Sequence, residues 1–183
     1  MKAGVPQIPV FDVRVEDEEI EAVAATLRSG QLSAGSQTEA FEREFAEHLG
    51  SKHVLAVSSC KAALHLACLA AGFSAGDEVI VPSLTFVATA NAVRYCGAKP
   101  VFCDLAGGEG NDLNIDVGAV EALINERTEG VIPVHWAGYP AEIEALSEIC
   151  ERRGLTLIED AAQAPWAHYG KKHVGTFGIA GCF

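Results

Sequence analysis

The sequence predicts an α/β fold with a mainly parallel sheet and helices on both faces, and three observations carry that prediction. Strand and helix periods alternate along the chain. The strand segments EVIVP (78–82) and LTLI (155–158) are continuous apolar runs, the pattern of strands buried on both faces. The helical periods close on Gly30, Gly50, Gly72, Gly97 and Gly154, as helix ends often do. Regular alternation of β and α makes a parallel sheet wrapped by helices. No long-period repeat, linker or low-complexity tract interrupts it.

After an irregular start containing Pro6 and Pro9, Ile20, Val23, Ala24 and Leu27 recur at helical spacing up to Gly30. Ser36 and Glu39 have the form of a capping box, and Phe41, Phe45 and Leu49 make one apolar stripe before Gly50. Residues 53–57 read as a short strand, and Ser58 and Ser59 lead into a helix rich in Ala and Leu that ends at Gly72. Gly76 and Asp77 turn the chain into EVIVP, residues 83–97 read as a helix, and 100–103 as a strand with Asp104 at its end. Gly107, Gly108 and Gly110 read as a mobile surface loop, because they match neither a dinucleotide fingerprint nor a P-loop. Asp116 caps a helix through Leu123, GVIPV (130–134) is a strand ending at His135, and 141–154 is an amphipathic helix. It leads back to the run 155–158, which stops at two carboxylates, Glu159 and Asp160.

Composition sets the class. At 183 residues, 49% hydrophobic and 21% charged, the chain is long enough for one domain with a sizeable core. A net charge of -12 argues against nucleic acid, which is bound by clustered Lys and Arg. The six cysteines form no CxxC pair and lie mostly in apolar segments, so reduced, buried thiols are expected rather than a metal site or disulfide framework. The N-terminus lacks the regions of a secretory signal, and the longest apolar stretch, 62–73, is too short to span a bilayer. A cytoplasmic protein without membrane contact is expected.

The chemistry gathers at strand ends, where ligands of open α/β sheets collect. Asp160 either has a cationic or proton-bearing partner, as a buried carboxylate requires, or caps the next segment. Ser58 and Ser59 stand between strand and helix, either as an anion site or as a plain cap. Phe86 offers a flat face to a ring or packs in the core. His135 is read as structural in preference to ligand-binding. A phosphate site, an aromatic platform and a carboxylate on one sheet edge suit a phosphorylated aromatic cofactor with a protonated ring nitrogen.

The segments VSSCKAALHLA (57–67), GDEVIVPSLTFVATANAV (76–93), PVHWAGYPAEIEAL (133–146), IEDAAQA (158–164) and GCF (181–183) resemble, in colinear order, the N-terminal part of the DegT/DnrJ/EryC1/StrS family of sugar aminotransferases that use pyridoxal 5'-phosphate. The resemblance implies a type I aminotransferase fold. Residues 1–183 would then be part of the large, cofactor-binding domain, without the small C-terminal domain, and the full-length protein would be a homodimer. It further implies that Asp160 pairs with the pyridinium nitrogen, that Gln163 lies near the cofactor's ring oxygen and that Phe86 stacks on the ring. Ser59, Cys60 and Lys61 would grip the phosphate. The substrates implied are glutamate and a nucleotide-linked keto sugar.

Two departures stand out. The family usually has Thr at the position of Lys61, and its Schiff-base lysine follows GCF, which here places it beyond Phe183. Lys171 and Lys172 sit in a polar turn and read as solvated. The chain alone is therefore expected to be inactive, as a truncated or partial aminotransferase. The alternatives are a non-catalytic cofactor-binding or assembly subunit, and a relative of the family's lysine-lacking sugar dehydratases.

Overall fold

The computed structural model of the chain describes residues 12–107 and 112–183. Three helices come first, α1 (Asp17–Ser29), α2 (Ser36–Leu49) and α3 (Cys60–Ala70). Then follow β1 (Glu78–Pro82), α4 (Ala88–Tyr95), β2 (Lys99–Cys103), the pair β3 (Leu105–Gly107) and β4 (Asp112–Ile115), α5 (Val117–Leu123) and β5 (Thr128–Val131). The chain continues through α6 (Ile143–Arg153), β6 (Thr156–Asp160), the pair β7 (His168–Tyr169) and β8 (Lys172–His173), and β9 (Ala180–Cys182). One five-stranded sheet runs in the order β2-β1-β5-β6-β9, with every pairing parallel.

Alternation along the strands builds the two faces. Val79, Val81, Ile132 and Ile158 meet α3 and α4 through Leu64, Cys68, Ala92 and Val93. Ile80, Val131 and Leu157 turn the other way, onto Val120 of α5 and Ile143, Leu146 and Cys150 of α6. Helices thus cover both faces, as the unbroken apolar runs require.

Several local expectations are corrected. Residues 53–57 form no strand and enter no ladder among the described residues. The Ala56 N–H is taken instead by the Glu42 carboxylate at 2.7 Å. The Ser36 capping box is absent because the helix begins with Ser36 itself, after Gly35, and the hydroxyl turns to Gln31 at 3.5 Å. A capping box does occur in α1, where the Glu16 N–H donates to Glu19 Oε2 at 2.8 Å. In place of the strand expected at 130–134, β5 starts two residues earlier and ends three earlier, and Pro133 has no N–H with which to continue it. Beyond it, Val134 makes a single parallel bridge to Asp160. Helix α4 begins at Ala88 and not at 83. Gly107 belongs to β3, while Gly108 and Gly110 lie outside the described residues.

Candidate functional site

The alternation that makes the two faces also separates the adjacent carboxylates of β6. Asp160 shares the α3/α4 side with Ile158, and Glu159 points to the opposite side. A cleft of about 440 Å³ opens at the carboxyl ends of the strands, and Ser59, Cys60, Lys61, Phe86, Asp160 and Gln163 all line it. The structure therefore brings together residues from three segments up to 104 positions apart (Ser59 to Gln163).

Asp160 is 4% exposed. Its Oδ2 accepts from the Thr89 hydroxyl at 2.6 Å, and its Oδ1 accepts from the Ala162 N–H at 3.3 Å and lies 3.8 Å from the Cys60 thiol. It enters no ion pair among the described residues. Burial, reinforced by the charge of Asp160, pushes the Cys60 thiol up to about 12, so it stays protonated and acts as a donor. Helix α3 begins at this wall. Ser59 caps it, accepting from the Ala62 N–H at 3.2 Å. The first-turn N–H groups, those of Cys60 and Lys61 included, have no carbonyl four residues back inside the helix. Their positive ends therefore favour an anion. Lys61 is the one lysine lining the cleft among the described residues.

Phe86 stands just before α4 with 69% of its surface exposed, so it is not a core residue. Gln163 is also exposed, and its Oε1 accepts from the Ala137 N–H at 2.7 Å. His135, by contrast, is fully buried away from the cleft lining. Its Nδ1 accepts from the Ala141 N–H at 3.1 Å, which places the ring proton on Nε2, 3.1 Å from Glu159 Oε2. That is the structural role expected of it. Sequence reasoning missed Thr85 and Thr89. Thr89 is buried against Asp160 and shares a hydrogen bond of 2.6 Å with Thr85. Their four-residue spacing within the helix expected over 83–97 was the available signal, although Thr85 itself precedes α4.

The model of the DegT/DnrJ/EryC1/StrS aminotransferase family matches residues 13–183. The spore coat polysaccharide biosynthesis protein SpsC of Bacillus subtilis (strain 168) is 45% identical over 166 residues, covering 91% of this chain and 42% of its own. The aminotransferase TlmJ from Streptoalloteichus hindustanus has a similar structure, with a TM-score of 0.90 at 38% identity over 96% of this chain and 48% of its own. So does Spr1654 from Streptococcus pneumoniae in its PLP form, with a TM-score of 0.87 at 27% identity over 93% of this chain and 47% of its own. The chain spans less than half the length of these relatives. Its mainly parallel sheet with helices on both faces is the α/β fold it shares with these aminotransferases. On the match over 13–183 and the 45% identical relative, the chain belongs to the DegT/DnrJ/EryC1/StrS aminotransferase family.

Proposed function

We propose that this chain forms the pyridoxal-phosphate cleft of an aminotransferase that moves an amino group from glutamate to a nucleotide-linked keto sugar. The observation that carries the reading is Asp160, a nearly buried carboxylate on the cleft wall with a hydroxyl partner and no cation among the described residues. A buried carboxylate without a counter-charge is costly, and a ligand with a protonated ring nitrogen supplies one. The rest of the lining fits the same ligand. The first turn of α3 with Ser59, Cys60 and Lys61 suits a phosphate, the open face of Phe86 suits a flat ring, and the unused amide nitrogen of Gln163 suits a ring oxygen.

In this reading Thr89 holds Asp160 Oδ2 in place, and Asp160 keeps a proton on the ring nitrogen. Bound pyridoxal phosphate supplies an electron sink for negative charge at the carbon that carries the amino group. Phe86 covers one face of the ring and keeps water from it. Family membership and the polysaccharide biosynthesis relative support a sugar as acceptor. The homodimer, the cytoplasmic location and a Schiff-base lysine placed after GCF are parts of the same proposal.

The test is Asp160→Asn. Loss of a buried charge pair costs about 2–5 kcal/mol, roughly 30-fold or more in affinity or rate. Titrating the purified protein with pyridoxal phosphate and following intrinsic fluorescence should show that loss, and in a full-length form that carries the Schiff-base lysine, turnover with a nucleotide-linked keto sugar should drop with it. An Asp160→Asn protein that binds and turns over like the wild type would remove the basis of the proposal.

A further inference from the structure

Next to the cleft, the short 3-10 turn Trp136–Gly138 has a backbone conformation that its sequence does not favour. Ala137 sits at φ 52°, ψ 25°, in the left-handed region, although it is not glycine. Such a conformation persists where the surroundings fix it. Asn114, in β4 and 2% exposed, supplies two of the fixings. Its Oδ1 accepts from the Trp136 N–H at 3.0 Å, and its Nδ2 donates to the Tyr139 carbonyl at 3.2 Å. One side-chain amide thus spans the turn from first residue to exit. Asn114 is itself anchored, because its N–H donates to Asp112 Oδ1 at 2.9 Å.

The turn in turn aims the Ala137 N–H at Gln163 Oε1, 2.7 Å away. An N–H pairs only with an acceptor, so this contact decides the amide orientation: the oxygen faces the turn, and the nitrogen is left for the cleft that Gln163 lines. We infer that Asn114 is a positioning residue for the cleft. Through the 136–138 turn it fixes the Gln163 amide so that this position donates a hydrogen bond and accepts only an acceptor atom of the ligand. The ligand atom concerned would be the ring oxygen of the pyridoxal phosphate, and to that extent the inference rests on the function proposed above.

The experiment has two arms, hydrogen exchange at the Ala137 amide in cofactor-free protein, and pyridoxal phosphate affinity in the same preparation. Asn114→Ala should speed exchange at Ala137 and weaken affinity by about three- to tenfold, the range of one neutral hydrogen bond. Asn114→Asp keeps an acceptor for the Trp136 N–H but sets a buried carboxylate oxygen against the Tyr139 carbonyl, so it should speed exchange and weaken affinity at least as much as Asn114→Ala does. Gln163→Glu still accepts from Ala137 but donates nothing. It should exchange at the wild-type rate, lose affinity, and raise the pH at which the bound cofactor's ring oxygen ionises. Unchanged Ala137 exchange in Asn114→Ala, or unchanged affinity and pH profile in Gln163→Glu, would overturn the inference. If Asn114→Ala does not fold, Gln163→Met at an exposed position takes its place, with fast Ala137 exchange expected and a wild-type rate counting against the relay. Should the wild type bind no pyridoxal phosphate, the proposed function fails, and the exchange arm still decides for or against the relay.

Discussion

The two carboxylates at the end of β6 show how one position in a strand changes a side chain's work. Asp160 faces the cleft with one hydroxyl partner, whereas Glu159 is fully buried on the other side and saturated with donors. Its Oε1 accepts from the N–H groups of Phe177 at 2.6 Å and Gly178 at 2.9 Å. Its Oε2 accepts from Gly175 at 2.7 Å and His135 Nε2 at 3.1 Å. Every donor here points at an oxygen, so Glu159 belongs to the architecture that holds the 175–178 turn beneath β9. Glu159→Gln would set an NH2 group against a backbone N–H. A cost of about 3 kcal/mol is expected, the scale of a buried group deprived of its partners. Urea unfolding should show it as a lower midpoint with an unchanged slope. A midpoint equal to wild type would mean that the turn is held by something else.

Among the elements, the best-read segments were those whose signal is local. EVIVP, the helices closed by Gly30, Gly50 and Gly154, and the Asp116 cap needed only periodicity and end residues, and each formed where expected. The failures have two causes. Residues 53–57 have strand character, but a ladder needs a neighbour, which composition does not reveal. Strands β3 and β4 are three and four residues long, too short for a period to register. In the cleft, Ser59, Phe86, Asp160 and Gln163 were legible from strand ends, and Cys60 and Lys61 only from the family resemblance. The Asn114–Trp136–Ala137–Gln163 contacts were not, because they depend on a backbone conformation that Ala137 does not announce. Gly130 in β5 makes a test of packing at this level. A Cβ there would lie 2.5 Å from Phe73 Cζ and 2.8 Å from the Thr156 carbonyl oxygen, so the strand accepts nothing larger than glycine. Gly130→Ala should destabilise by about 1–3 kcal/mol, visible in thermal unfolding. Phe73→Leu in the same chain should recover part of the loss, since the ring tip is the nearer obstacle, and no recovery would place the clash at the β6 backbone instead.

Across the molecule, the shifted groups set the pH range over which the fold holds. Hydrogen bonds from Asn125, then Lys99 and Arg127, hold the Glu78 carboxyl down at about 2. Because that value is depressed, its contribution is complete above the ordinary carboxylate range near pH 4.5 and is lost as pH falls towards 2. At the other end stand the thiols. Burial pushes Cys68 up to about 12, and Cys103 and Cys150 to about 11, against an ordinary value near 9. For these raised values the sign reverses. The folded state keeps protons that the unfolded chain gives up above pH 9, so their contribution is complete below pH 9 and is lost as pH rises to 11–12. Burial, then the neighbouring His168 and His48, hold the His173 imidazole below its ordinary value, so its contribution is complete above about pH 6.5 and is lost below it. A urea midpoint followed against pH should therefore be flat only between about pH 7 and 8.5 and fall on both sides. Cys150→Ala should lower the whole curve through its lost packing, yet fall less steeply above pH 9, because one buried proton no longer differs between the two states. A Cys150→Ala curve parallel to wild type above pH 9 would show that alkaline loss comes from general charge repulsion in this chain of net charge -12, and not from its buried thiols.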